Sequence, residues 1–310
     1  MPKKHATVRH LNSTTQQEYS DGDETENYLL ELFKGGLSSS DRRSILDNNP
    51  TWPIRYHLAY ERASLLGWYP FAPGSRILEV GAGCGSITES LVSNVGVTVI
   101  ANELSERRAM INAYRNSSAK NLEVVIGNLS DYRPKEKFDY VVCVGVFEYA
   151  GTFIESEEPY EQFLEFMSSF LKKDGKLLLA IENQLGHKYM SGAKEDHTGN
   201  YYDGINDYPQ EKQVRTFGRV ELSERLQNAG YDSYFYYPFP DYKLPTRIYS
   251  DDYYPGLNNV YFPKTLLPTP NPDQERRQIF SEASFVGILE RNGLYRDFAN
   301  SFLVEGTYHG

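Results

Sequence analysis

The sequence predicts an α/β fold: a doubly wound, mostly parallel seven-stranded sheet. Three observations carry this prediction. A glycine turn, Gly81-Ala82-Gly83-Cys84-Gly85, closes an apolar run, Ile77-Leu78-Glu79-Val80, and opens a helix at Ser86. A second apolar run, Val97-Thr98-Val99-Ile100-Ala101, follows that helix and ends near an acidic residue, Glu103. Beyond it, strand-like and helix-like segments keep alternating, the pattern of parallel strands joined by right-handed crossovers.

The elements follow in order. Acidic residues dominate between Glu18 and Glu31, with Tyr28, Leu29, Leu32 and Phe33 at helical intervals, so a helix with a solvated acidic face is expected there. Trp52-Pro53-Ile54-Arg55-Tyr56-His57 leads a second helix, and Trp68-Tyr69-Pro70-Phe71 precedes the first strand. Ser86 and Glu89 have the spacing of a capping box. Ser105 can cap a helix running to about Ser117. Leu122–Ile126 is a third strand, and Phe138–Val144 is a near-continuous apolar run, as a buried parallel strand requires. Phe163, Leu164, Met167, Phe170 and Leu171 fall at helical spacing and read as core. After a turn at Lys173-Asp174-Gly175 come a fifth strand over 176–181, a helix from Val220 to about Asn228 stopped by Gly230, a sixth strand over 231–237, and a last strand near Ser301–Val304.

The turn selects a ligand by charge. Strand, glycine turn and helix N-terminus together bring bare backbone and unpaired amides to a ligand. Glu103, about 20 residues past the turn, can accept hydrogen bonds from a ribose diol. A dinucleotide site wants a third glycine where this chain has Ser86, and a carboxylate such as Glu79 repels a pyrophosphate. S-adenosylmethionine carries an ammonium, a sulfonium and a ribose, and suits Glu79; a plain turn of a doubly wound sheet is the alternative without a ligand.

Glu79-x-Gly81-x-Gly83-x-Gly85 resembles the first motif of class I S-adenosylmethionine-dependent methyltransferases, and the resemblance covers roughly residues 55 to 240. It implies a Rossmann-like methyltransferase sheet whose last strand is antiparallel. It also implies cofactor contacts from Glu79, Gly81, Gly83, Gly85, Glu103 and Leu104. Asn128 would meet the adenine amino group, Leu129 the ring face, and Gly145 would close the fourth-strand ending Gly145-Val146-Phe147-Glu148-Tyr149. That ending more often reads Glu-His in the family, so Tyr149 is a departure. The segments Ile181–Gly186, Glu195–Gly199 and Tyr236–Pro245 resemble a narrower bacterial group associated with cell-surface polysaccharide biosynthesis. Its members suggest a sugar or glycan acceptor and a possible glycosyltransferase partner.

Composition narrows the alternatives. Lys and Arg number 32 against 42 Asp and Glu, a formal charge of −10, which argues against nucleic acid as the substrate. The polar start Met1-Pro2-Lys3-Lys4-His5 has no secretory pattern, no apolar run could span a bilayer, and Cys84 and Cys143 make no disulfide framework, so a cytoplasmic chain is expected. Residues 1 to about 20 read as mobile by composition. The domain plan is an N-terminal helical extension or lid over 1–70, and a methyltransferase domain over 71–310 with inserts at about 182–216 and 241–298. Trp52 and Trp68 could belong to a lid over the cofactor or simply cover the sheet edge.

The first insert leaves the carboxyl end of a strand, the ligand edge of open α/β sheets. Methyl transfer to a neutral hydroxyl needs a proton acceptor, and the insert offers three groups. His197 is the first candidate, with Asp196 beside it as orienter or substitute; His187 is the second, and Glu182 a further carboxylate. An acceptor that is already anionic needs no base. Glu182, His187, Asp196 and His197 match no metal-ligand spacing, so no metal is expected. Twelve of the 25 tyrosines lie between Tyr201 and Tyr261; most should anchor the inserts, and a few could face a sugar. A small-molecule O- or N-methyltransferase, or a non-catalytic partner of a glycosyltransferase, remain alternative readings.

Overall fold

The computed structural model describes residues 5–12, 20–48, 50–210, 213–257, 260, 262, 263, 265, 267–269 and 276–310. The chain divides into two compact units, residues 1–143 with 170–175, and residues 144–169 with 176–310.

The first unit is a parallel sheet in the order β1-β4-β3-β2-β5. Its strands are β1 (Thr7–His10), β2 (Arg76–Val80), β3 (Thr98–Glu103), β4 (Leu122–Ile126) and β5 (Phe138–Val144). Ile77, Leu78, Val99, Val124, Val141 and Val142 are fully or almost fully buried, because helices cover both faces of a parallel sheet. Chain order reverses between β2 and β5, and the glycine turn leaves β2 at that switch point, where such sheets bind ligands. The helices are α1 (Asp23–Gly35), α2 (Ser39–Asp47), α3 (Trp52–Leu58), α4 (Ser86–Val92) and α5 (Glu106–Arg115). Leu29 and Phe33 of α1, Ile54 and Leu58 of α3, Cys84 of the glycine turn and Ile111 of α5 form one core cluster.

Three expectations change in this unit. Residues 1–70 are not a purely helical extension, because β1 adds a strand beside β4, in register Thr7 to Glu123, with Arg9 paired to Glu123 at 2.8 Å. The mobility expected of residues 1–20 therefore fails at 7–10; residues 1–4 and 13–19 lie outside the described residues. The capping box does not form. Gly85 is the N-cap, the Ser86 hydroxyl donates to the His57 carbonyl, and Glu89 is taken by Arg42 and Arg115, whose guanidinium groups outcompete a backbone amide.

The second unit carries β6 (Leu171–Glu182, from Lys176 onward), β7 (Tyr231–Phe239), β8 (Arg247–Ser250) and β9 (Ser301–Tyr308), in the order β6-β9-β7-β8. Strand β9 is antiparallel to β6 and to β7, as expected for the last strand, and β8 is a short antiparallel addition not read from the sequence. The expected turn survives as Asp174 at φ 59 inside the β6 span. Its helices are α6 (Ala150–Phe153), α7 (Pro159–Phe170, up to Ser169), α8 (His187–Met190), α9 (Arg219–Asn228), α10 (Glu282–Arg291) and α11 (Tyr295–Phe298). The insert after β6 is held down by Asn183, whose side-chain amide donates to the Asp297 and Ala299 carbonyls, and by the Arg215 amide on the Glu148 carbonyl.

Candidate functional site

In the first unit the expected cofactor residues surround one turn. Gly85 has φ +80, and a Cβ there would stand 2.4 Å from Asn112 Oδ1 and 2.9 Å from Asn112 Cα, so only glycine lets α5 pack this close. Gly83 has φ +53 and leaves room for the Arg108 guanidinium. Glu103 ends β3 and splints the turn: Oε2 accepts from the Gly83 amide at 2.7 Å and Oε1 from the Ser105 amide at 2.9 Å. Each oxygen retains a lone pair for a ribose hydroxyl. Glu79 is buried at the end of β2 and accepts from the Thr88 hydroxyl at 2.6 Å, while Asn112 donates to Thr88. Burial pushes the Glu79 carboxyl up to about 8, against the lowering effect of Thr88 and Arg62. Leu104 is half-buried, Asn128 Oδ1 accepts from the Ser130 amide at 2.9 Å, and Leu129 is buried. Asn102 donates to the carbonyls of Val125 and Gly127, joining the ends of β3 and β4, a role the sequence did not reveal. These amides, open carboxylate lone pairs and a glycine-only turn fit S-adenosylmethionine.

Gly145 belongs to the second unit. It has φ +68, and a Cβ there would meet the Tyr242 hydroxyl at 2.9 Å and Glu148 Oε1 at 3.6 Å. Around it lies a buried polar cluster drawn from distant segments. Glu148 follows β5, Glu182 is the last residue of β6, and Glu195 and His197 come from the insert. His197 Nδ1 lies 2.9 Å from Glu195 Oε1, and Nε2 stands 3.7 Å from both Glu148 Oε1 and Glu182 Oε2. The Tyr149 ring packs edge-on against His197 at 5.5 Å between centroids. Where the resembling family more often has Glu-His in succession, this chain brings an imidazole to the glutamate from 49 positions further along.

One expectation about this cluster is corrected. The residue bonded to His197 is Glu195, while Asp196 turns to Lys188 at 2.7 Å and Lys243 at 3.0 Å. Burial alone would raise the Asp196 carboxyl, but those two ammonium groups hold it well below the usual carboxylate range. His197 departs from an ordinary imidazole. Burial would lower it, yet the charges of Glu182, Glu148 and Glu195 together raise it well above its ordinary value. Burial raises Glu148. His187, the second candidate, is fully buried and bonded to Glu282 at 2.7 Å, which also takes the Thr269 amide and hydroxyl and pairs with Arg276. It clamps α8 to α10 and is separate from the cluster. Lys243, 2.6 Å from Glu182 Oε1, and Glu148 were not singled out as candidates; the signals for Glu148 were its place at a parallel strand's carboxyl end and in the fourth-strand ending that resembles the family's.

Residues 61–203 match the protein family described as mycolic acid cyclopropane synthetase. Over 108 residues the chain is 32% identical to cyclopropane-fatty-acyl-phospholipid synthase of Escherichia coli K12, covering 34% of this chain and 26% of that protein. Over 109 residues it is 24% identical to (S)-coclaurine N-methyltransferase of Thalictrum flavum subsp. glaucum, covering 34% and 28%. The matches thus span about a quarter of the length of these curated relatives. Among solved structures, the putative methyltransferase in complex with the Trm112 activator from Haloferax volcanii aligns with a TM-score of 0.49 at 16% identity, covering 94% of this chain and 100% of that one. Phosphoethanolamine N-methyltransferase 2 of Haemonchus contortus, with S-adenosylmethionine, aligns at 0.48 and 17% identity, covering 89% and 61%. The fold, the glycine turn and the match over residues 61–203 make the chain similar to class I S-adenosylmethionine-dependent methyltransferases.

Proposed function

We propose that the chain methylates a hydroxyl of a sugar or glycan intermediate in surface polysaccharide synthesis. The observation that carries this is the convergence of the three segments with the narrower resemblance. Glu182 from the first, Glu195, Asp196 and His197 from the second, and Tyr242 and Lys243 from the third meet in one charged cluster within the second unit. Such a lining suits a polar, hydroxyl-rich acceptor and ill suits an alkyl chain, which would strand these groups without water.

When bound, S-adenosylmethionine supplies an electrophilic methyl group on a sulfonium that leaves as a neutral thioether. The chain must orient the acceptor and remove its proton. Glu148 is the proton acceptor: burial raises its basicity, and Oε2 has no hydrogen-bond partner among the described residues. His197, held by Glu195, stands 3.7 Å from Glu148 and Glu182 and favours the ionised form of Glu148, and Asp196 holds Lys188 and Lys243. Helices α1 and α3, which pack on Cys84, serve as a cover for the glycine turn.

A second reading draws on the match over residues 61–203: methyl transfer to an unsaturated acyl lipid, with the same carboxylates taking the proton. Labelled S-adenosylmethionine, incubated with this protein and lysate fractions of a host carrying or lacking the polysaccharide, separates the two. Label in the polysaccharide or its sugar precursors supports the first reading; label in extracted lipid replaces it with the second.

A further inference from the structure

Three ligand-type atoms in the second unit lie close together. Glu148 Oε1, Glu182 Oε2 and His197 Nε2 come from three separate segments, and the cluster's ligand atoms all lie within 4.8 Å of one another. Glu148 is 1% exposed and Glu182 0%. Glu148 Oε2 and Glu182 Oε2 have no hydrogen-bond partner among the described residues. A buried carboxylate oxygen left in that state costs several kcal/mol unless something meets it.

The distances decide what that something is. If His197 simply donated to the carboxylates, N···O would be about 2.7–2.9 Å. The observed 3.7 Å to each is too long for a hydrogen bond. Ligand atoms about 2.0–2.2 Å from one ion at a tetrahedral angle stand roughly 3.3–3.6 Å apart, close to what is seen. The tautomer agrees. Glu195 accepts from the His197 and Thr198 amides at 2.7 Å each, so its carboxylate faces His197 Nδ1 as an acceptor and Nδ1 donates. The carboxylates favour a proton on Nε2 in the empty site, and an ion would displace that proton and take the Nε2 lone pair, 3.7 Å from each of Glu148 and Glu182. A carboxylate behind a ligating histidine is the usual second layer of a metal site. Lys243 pairs with Glu182 through Oε1, leaving Oε2 available, and it is the one lysine that faces Glu182 directly among the described ion pairs.

We propose that Glu148, Glu182 and His197 bind a divalent first-row transition ion such as Mn²⁺ or Zn²⁺, with at least one coordination position open. An imidazole with two carboxylates suits these ions better than an all-oxygen calcium site. The ion's role, though not its binding, rests on the proposed function. A hydroxyl in the open position would be acidified by the ion, and its proton would pass to Glu148 Oε2.

The test uses the full chain, stripped with a chelator and titrated with Zn²⁺ and separately with Mn²⁺ by calorimetry, with thermal melting in parallel. One ion should bind per chain and raise Tm. Glu182→Gln and His197→Ala should lose at least tenfold in affinity, and Glu195→Gln, outside the ligand set, about 10–100-fold. Circular dichroism of each stripped variant separates lost binding from lost folding, and the isosteric Glu148→Gln supplies a variant of unchanged shape. No saturable binding, or binding that these substitutions leave unchanged, overturns the inference. Methyl transfer that continues in the stripped protein with no ion bound overturns the ion's proposed role, while the methyltransferase reading survives. Saturable binding sensitive to these substitutions in a chain that methylates no fraction sustains the site and removes its proposed role.

Discussion

Glu79 is where residue chemistry most directly constrains the cofactor. A carboxyl raised to about 8 by burial is mostly protonated at neutral pH. A ligand bearing a sulfonium and an ammonium favours its ionised form, so binding must displace that proton. The sign follows. Affinity for S-adenosylmethionine should climb as pH rises toward 8, by up to about tenfold per unit, and level off above it. Glu79→Gln should flatten the climb in calorimetric titrations at several pH values; an equally steep climb in the variant would show that another group titrates. Glu103 carries a different load, since its two oxygens already hold the Gly83 and Ser105 amides. Glu103→Ala should weaken S-adenosylmethionine binding by about 1.5–3 kcal/mol for a lost charge-assisted acceptor. It should also loosen the turn, seen as faster hydrogen exchange at Gly83. Unchanged affinity would remove Glu103 from the cofactor site.

At the scale of elements, Gly85 offers the sharpest test of the turn. Alanine there meets left-handed strain of roughly 1–2 kcal/mol and an overlap with Asn112 worth roughly 1–3 kcal/mol more. Gly85→Ala should lower Tm and abolish cofactor binding, and retention of both would mean that α5 yields easily. The turn and strands β2 to β5 were legible in the sequence for one reason. Buried parallel strands are continuous apolar runs, and Glu79, the glycines and Glu103 lie within about 25 positions of each other. Strand β1 was not legible, because Thr7-Val8-Arg9-His10 is short and half-polar and gains its pairing only from β4. The polar cluster around His197 was half legible. His197 and Glu182 stood out as polar residues after a strand, but adjacency misled the choice of partner. Asp196 neighbours His197 in sequence, yet Lys243, 47 positions away, holds its side chain, and Glu195 takes the imidazole. Among the dense tyrosines, Tyr208, Tyr231, Tyr237, Tyr242, Tyr249 and Tyr254 are buried; Tyr208 bonds Thr216 within the first insert, and Tyr237 of β7 bonds Asp251 of the second.

For the whole molecule, the net charge is −10, and no helix among the described residues is long and apolar enough to cross a membrane. The first unit holds the groups that suit the cofactor, and the second holds the groups that suit an acceptor's proton. This division predicts separable losses. The most direct measurement is labelled methyl transfer by wild type and Glu148→Gln on the acceptor fraction, with S-adenosylmethionine affinity determined for both. Loss of the proton acceptor should lower turnover about 10²–10⁴-fold while cofactor affinity stays near that of wild type. Near-normal turnover by Glu148→Gln would contradict the account, because the acceptor would then need no carboxylate from this cluster.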